Sequence, residues 1–393
     1  MSVTRLDRAR RRERRESQKA IPDVKVEPKS PDYAYLLGLF LLFSLGIVMF
    51  YSTKAFTGGW NEMRKLGLFI ALSLVALFVA AFVPEKLLRK GTPLVLLVSG
   101  GLLLSLYIPG NPFALHLLGA TRWLEFGGGI TFQPSELAKF AFILFAAGFL
   151  EKRGRNMRTQ DWVTYLGVLG FLAALIVKQP DLGTTLCLLG IAGGMLIIGG
   201  APWRVMLPGI VVGASLILVM AWNTDHQRDR LESWLNPWEH RQDQGYQTVQ
   251  SEVALAKGGI TGVGLANSTQ KLNDRLPEAE SDFIFAIVGE ELGLVRAVAV
   301  ILVYAFFIWR GMEISARAPD RYSGLIAGGV TSWIGVQTVL NLGVVTGTLP
   351  NTGVPLPFLS AGGTALVIMM AASGLVVGVS RRMRPVPVRI EAE

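Results

Sequence analysis

Residues 283–309 read FIFAIVGEELGLVRAVAVILVYAFFIW, an apolar run interrupted only by Glu290, Glu291 and Arg296. About 20 apolar residues carry a helix across a bilayer, so this one run already makes the chain a membrane protein. Working outward, comparable runs occur at roughly 33–52, 64–83, 92–108, 134–150, 161–178, 183–200, 203–222, 322–345 and 361–380. The short segments 161–178 and 183–200 are read as two elements, because Pro180 and Gly183 punctuate them. The expected fold is an all-α polytopic membrane protein of about ten transmembrane helices. A large extracytoplasmic loop, 223–282, separates spans seven and eight.

The composition agrees. Of 393 residues, 51% are hydrophobic and only 17% are charged, against roughly 25% charged in soluble domains, and the mean hydropathy is +0.43. A soluble enzyme, a disordered chain and a nucleic-acid partner are all disfavoured. The net charge of +9 does not revive the last, because the basic residues gather at the ends of apolar runs. Cys187 is the only cysteine, which excludes an intrachain disulfide and a cysteine metal cluster. His116, His226 and His240 show no helical metal spacing.

Residues 1–31 hold a dense block of Arg and Lys from Arg5 to Lys29. Such a block repels itself and is expected to be a disordered cytoplasmic tail that sets topology and touches anionic lipid. The first apolar run follows it and is long enough to span, unlike a cleavable signal peptide. With the N-terminus inside, most basic residues fall on inner segments: the tail, Lys86 to Lys90, Lys152 to Arg158, Arg204, Arg310 to Arg321, and Arg381 to Arg389 in the C-terminal tail 381–393. An even number of spans then returns the C-terminus to the cytoplasm.

That orientation puts four connections outside: 109–133 with Thr121-Arg122-Trp123, the turn at Asp181, the stretch 223–282, and 346–360. Within 223–282, Tyr246, Val249, Val253 and Ala256 recur at helical spacing. Residues 245–257 are therefore expected to form an amphipathic helix lying on the outer membrane surface. Trp222, Trp234 and Trp238 suit the headgroup level there.

A charge in hydrocarbon is costly, so ionisable residues in or at the mouth of a span are functional candidates. Glu136 and Lys139 of QPSELAK are three apart and can pair across one helix face; Lys139 can also meet an anionic phosphate. Asp181 can cap the helix that follows it, or hold Lys139 or Arg122. Asp282 ends the acidic segment Glu278-Ala279-Glu280-Ser281-Asp282 at the mouth of the deciding run. It is either an N-cap or a carboxylate half out of water, able to act as a base. Glu290 and Glu291 cannot both face lipid cheaply, so at least one is expected inside. The glycines of 258–264 read as turns, and three prolines between Pro350 and Pro357 make the loop leading to Ser360 stiff.

These segments, QPSELAK, the PDLG turn, GYQTVQS, LPEAESDFIFAIVGEEL and NTGVPLPFLSAGG, together resemble the SEDS family (shape, elongation, division and sporulation), in order from about residue 33 to 380. Residues 267–271 and 276–279, with 289–293, look most like the division member, while 352–358 is shared with the elongation member. The resemblance implies a ten-span peptidoglycan glycosyltransferase of the bacterial inner membrane, both termini cytoplasmic, at the division septum. It would join lipid II to a glycan held on undecaprenyl diphosphate, with inversion. Asp282 matches the family's catalytic aspartate and would be the general base. Arg122, Lys139, Lys271 and Arg275 would face the diphosphate, helped by a divalent cation, magnesium or manganese. Glu136, Asp181, Glu278, Glu280, Glu290, Glu291 and Ser360 would support the site. The implied partners are a class B penicillin-binding protein and other divisome membrane proteins. An elongation-type polymerase, a lipid II flippase and a scaffold are the competing readings. The chain departs from the family at Glu280-Ser281, where His-Thr is usual, and at Ser360-Ala361-Gly362-Gly363-Thr364, where Ser-Tyr-Gly-Gly-Ser is usual. Glu280 adds a negative charge that either raises the pKa of Asp282 or supplies a metal ligand.

Overall fold

The computed structural model describes residues 30–54, 59–117, 120–127, 130–154, 157–202, 231–243, 245–271, 276–277, 279–360 and 363–383. The span 203–222, Arg275, Glu278, Trp222 and most of both tails lie outside the described residues. Each of the other nine expected spans is a helix: α1 (Tyr33–Lys54), α2 (Gly59–Phe82), α3 (Glu85–Ser105), α4 (Pro134–Arg153), α5 (Thr159–Val177), α6 (Leu182–Ile198), α8 (Ile284–Ala316), α9 (Arg321–Val345) and α10 (Gly363–Ser380). Seven of these are long and apolar enough to cross a membrane; α6 is shorter, at 17 residues, and α4 carries Glu136 and Lys139. The chain is a multi-pass membrane protein.

Local chemistry sets the helix ends. Pro134 opens α4 with Glu136 in its first turn, and Lys152 and Arg153 close it, matching the helix dipole at both ends. Asp181 caps α6 by accepting from Thr184 N at 3.0 Å, and Asp320 caps α9 through Ser323 N at 2.9 Å. Helix α3 begins earlier than its apolar run, at Glu85. Lys86, Arg89 and Lys90 thus ride on its first turns rather than on a connecting loop, their long stems lying along the helix.

Helix α9 is the centre of the bundle, with 72% of its apolar window buried, against 11% for α2 and 17% for α3. It packs on α8, α6, α4 and α10, while α2 lies on α10 and α3 on α4. The outer faces of α2 and α3 expose Val75, Phe78, Leu94 and Leu97, as lipid-facing helices do.

The structure differs from the sequence reading in three places. The connection 109–133 is not plain loop: it contains an antiparallel sheet of β1 (Ala114–Leu117), β2 (Ala120–Glu125) and β3 (Thr131–Phe132). Arg122 is on its central strand.

The second difference concerns α7 (Tyr246–Gly258), which buries Thr248, Val249, Ser251, Ala254 and Gly258; of the expected stripe Val249 is buried, and Tyr246, Val253 and Ala256 are not. The buried face is of small residues because it packs on α8. A Cβ on Gly258 would lie 2.0 Å from Gly289 O, and Ser251 Oγ donates to Val345 O at 2.8 Å. Trp234 is tied to this region too, donating to Gly347 O at 2.9 Å.

The third is a break inside α8. Gly293 has φ 79 and ψ 172, left-handed backbone that glycine alone adopts readily. The glycine-rich segment after α7 docks into the break. Leu294 N donates to Gly259 O at 2.9 Å and Val295 N to Ile260 O at 3.3 Å. Val263 N and Gly264 N donate to Glu290 O and Glu291 O, both at 3.0 Å. Main-chain groups stranded by the interrupted helix are thereby paired, as buried polar groups must be.

Candidate active site

Three elements meet at the start of α8. The loop 346–360 crosses the end of the bundle and is pinned from several sides. Gln337 Nε2 on α9 donates to Pro355 O at 2.8 Å, and Asn341 Nδ2, one turn later, donates to Val354 O at 2.8 Å. Tyr304 Oη donates to Pro357 O. Helix α6 approaches so closely that a Cβ on Gly183 would sit 2.1 Å from Thr352 O.

Asp282 is held against this loop. Asn341 Nδ2 also donates to Asp282 O at 2.7 Å. Ser360 Oγ donates to Ser281 O at 2.6 Å and accepts from Leu356 N at 2.7 Å. A Cβ on Gly353 would lie 3.3 Å from Asp282 Oδ2, so the carboxylate rests against a bare stretch of backbone. Asp282 is half-buried. It is not the N-cap: that position falls on Phe283, which makes no side-chain cap. The carboxylate is thus presented by the flanking loop and α9, not by the helix end. Ser360 also lines a cleft of about 160 Å³ between α1, α2 and the loop, whose wall carries the Lys65–Glu62 pair, 3.0 Å apart.

The other candidates divide into groups. Lys139 and Glu136 are both 1% exposed and pair at 2.7 Å. Lys139 also reaches Gln337 Oε1 at 3.2 Å and lies 5.0 Å from the centre of the Trp333 ring. Lys271 Nζ pairs with Glu291 Oε1 at 2.7 Å and donates to Ser52 Oγ at 3.0 Å. Ser52 itself donates to Glu291. Glu290 accepts from Ser268 Oγ and from Thr269 N and Oγ1. Both adjacent glutamates are therefore buried and hold residues 268–271 onto α8 and α1. Arg122 donates from Nε to Gln179 O at 3.0 Å and from Nη2 to Pro180 O at 2.7 Å. It fixes the sheet onto the turn that Asp181 caps, and it has no carboxylate partner among the described residues. Glu280 is half-buried beside Asp282.

Gln337 was not singled out from sequence, yet its carboxamide joins Lys139, Trp333 Nε1 at 2.7 Å and the loop. A polar residue in the middle of an apolar span was the available signal. Among the described residues no three His, Cys, Asp or Glu side chains converge on a position that could hold a metal ion. The chain's described donors thus do not fit a protein-held metal centre.

Known proteins match this arrangement over nearly its whole length. The family profile of the FtsW/RodA/SpoVE cell cycle proteins matches residues 33–385. The chain belongs to this family. The probable peptidoglycan glycosyltransferase FtsW of Geobacter metallireducens is 36% identical over 364 residues, covering 91% of this chain and 96% of that protein. The stage V sporulation protein E of Bacillus subtilis is 34% identical, covering 90% and 98%. Among solved structures, a chain from a work on the coordination of polymerization and crosslinking by a peptidoglycan synthase complex superposes with a TM-score of 0.75. It has 27% identity and covers 89% of this chain and 98% of its own. The rod shape determining protein RodA of Thermus thermophilus shares the fold, with a TM-score of 0.66 at 24% identity, over 90% of this chain and 98% of its own. Membership accounts for the order of the motifs and for a fold shared by both solved structures.

Proposed function

We propose that this chain is a peptidoglycan glycosyltransferase that polymerises lipid II into β-1,4 glycan, with Asp282 as general base. The observation that carries the reading is the hold on Asp282: its main chain is fixed by Asn341 and, through Ser281, by Ser360, with its carboxylate against Gly353. A fixed, half-buried carboxylate suits proton abstraction from a sugar hydroxyl, a poor nucleophile at neutral pH.

In the proposed step Asp282 takes the proton of the lipid II 4-hydroxyl. The hydroxyl oxygen bonds to the anomeric carbon of the donor glycan. The bond from that carbon to undecaprenyl diphosphate breaks, and the electron pair leaves with the diphosphate. A single displacement inverts an α-linked donor to a β-linked product. Arg122 supports the leaving charge, as an arginine with no carboxylate partner among the described residues; Arg275 is the second candidate from sequence. Lys139 and Lys271 have their ammoniums committed to Glu136 and Glu291, which favours roles in positioning. Bound to the diphosphate, magnesium or manganese would neutralise further charge.

The likeness to FtsW of Geobacter supports a role in division, at the septum of the bacterial inner membrane with both termini cytoplasmic. It also supports partnership with a class B penicillin-binding protein and other divisome proteins. The test is polymerisation of lipid II by the purified chain, alone and with that partner, compared with Asp282→Asn. Loss of a general base costs about 10²–10⁴-fold in rate, while lipid II binding persists. Near-normal polymerisation by a folded Asp282→Asn protein would refute the base assignment and favour a flippase.

A further inference from the structure

At the end of the bundle opposite Asp282, where α4 finishes and α3 and α9 begin, a groove of about 350 Å³ runs between α3 and α4. Pro93, Phe145 and Phe149 form its apolar walls, and Arg89, Lys152 and Tyr322 line it as well. Three features mark it as a built site. Tyr322 is 1% exposed, and its hydroxyl lies beside Thr92 without a hydrogen bond of good geometry, the Thr92 hydroxyl donating instead to Leu88 O at 2.8 Å. A buried hydroxyl without a partner costs free energy unless something meets it. The Arg89 guanidinium lies 3.9 Å over the Tyr322 ring and is held there by Glu85 and Glu151, so it fixes the ring rather than the ligand. Lys152, by contrast, is exposed at the rim with no carboxylate partner among the described residues. Arg153 stands beside it, 5.5 Å from the Phe149 ring and paired with Asp161 at 2.5 Å, so it walls the groove and Lys152 is the cation left for a ligand.

The flank of the groove is the lipid-facing side of α3, where Leu87 and Leu94 are exposed. A ligand entering from there arrives through hydrocarbon, which favours an amphiphile over a soluble ion. We infer that the groove binds one anionic glycerophospholipid. Its acyl chain lies along Phe145 and Phe149, its phosphate meets Lys152, and a glycerol ester oxygen accepts from the Tyr322 hydroxyl. Basic clefts between spanning helices recognise acidic headgroups in this way. The inference does not depend on the proposed reaction. Its bearing on that reaction is that α4 and α9, which the lipid would staple together, carry Lys139 and Gln337 further along.

The full chain in detergent is titrated with dioleoylphosphatidylglycerol, dioleoylphosphatidylcholine or inorganic phosphate, and bound species are counted by native mass spectrometry. One phosphatidylglycerol is expected to bind at least fivefold tighter than phosphatidylcholine, and inorganic phosphate should not compete. Lys152→Gln should weaken binding about fivefold, the effect of one basic residue near an acidic surface. Gly148 lines the groove and has space beside it, its nearest neighbour being Tyr322 Cε2 at 3.7 Å from a Cβ. Gly148→Leu should therefore fill the groove and abolish binding. Should that variant fail to fold, Tyr322→Phe, which keeps the ring and removes only the hydroxyl, must show weakened binding. Equal affinity for the two lipids, displacement by phosphate alone, or unchanged binding in Lys152→Gln and Tyr322→Phe overturns the proposal.

Discussion

The side-chain amide of Asn341 donates at once to Asp282 O at 2.7 Å and to Val354 O at 2.8 Å, so one nitrogen sets the separation between the α8 entrance and the proline-rich loop. Asn341→Leu keeps the volume and removes both bonds. Each carbonyl left unpaired costs about 1–3 kcal/mol, and a base displaced by about 1 Å loses on the order of 100-fold in rate. The expected outcome is a lower unfolding temperature with weak polymerisation and retained lipid II binding. Wild-type turnover would show that Asp282 does not need this hold.

Lys139 and Glu136 are predicted to stand or fall together. Lys139→Met alone strands a buried carboxylate and should destabilise the protein by about 3–5 kcal/mol. Adding Glu136→Gln removes that charge and should restore most of the unfolding temperature and most of the activity. A folded but inactive double variant would instead give the Lys139 ammonium a direct role at the diphosphate.

Gly293→Ala forces a side chain into φ 79, with the new Cβ 2.2 Å from Gly262 N. Strain of this kind costs about 1–3 kcal/mol, and proteolysis after α7 should quicken as the docked segment lifts. Gly101→Ala, in α3 with open space around it, serves as the contrast. It should be neutral or stabilising by about 0.5–1 kcal/mol.

Topology is tested in a Cys187→Ser background, which removes the one native thiol. A membrane-impermeant maleimide on intact cells should label Asn236→Cys and leave Asn156→Cys unlabelled. The opposite pattern inverts the bundle and takes Asp282 away from the face proposed for polymerisation.

Much of this was legible in the sequence, because hydrophobic run length and charge in apolar surroundings are local signals. The helices from α1 to α10 that coincide with apolar runs, the pairing of Lys139 with Glu136, the cap at Asp181 and the burial of at least one of Glu290 and Glu291 all follow from them. What sequence did not yield depends on partners far along the chain. The sheet around Arg122 has strands of two to six residues, too short to stand out beside long spans. The pairing of Lys271 with Glu291 needs the loop after α7 folded back onto α8. The buried face of α7 is made of small residues because a helix covers it, where an apolar stripe would suit lipid. The place of Asp282 at the mouth of its span follows from the local charge pattern, whereas its hold by Asn341 and Ser360 joins residues distant in sequence.

The interruption at Gly293 carries a consequence for how this protein tolerates change. The segment from Gly258 to Gly264 is secured through main-chain atoms, and Ile260 and Val263 point outward. At positions whose side chains point away, peptide groups recognise register and not side-chain identity. Exchanges at Ile260 or Val263 should therefore pass almost unnoticed, whereas inserting or deleting a single residue there would slip every pairing by one position. At those two exposed positions length is under tighter constraint than spelling, whereas Gly258 and Gly262, where a Cβ would lie 2.0 and 2.3 Å from the carbonyls of Gly289 and Glu291, are fixed in both.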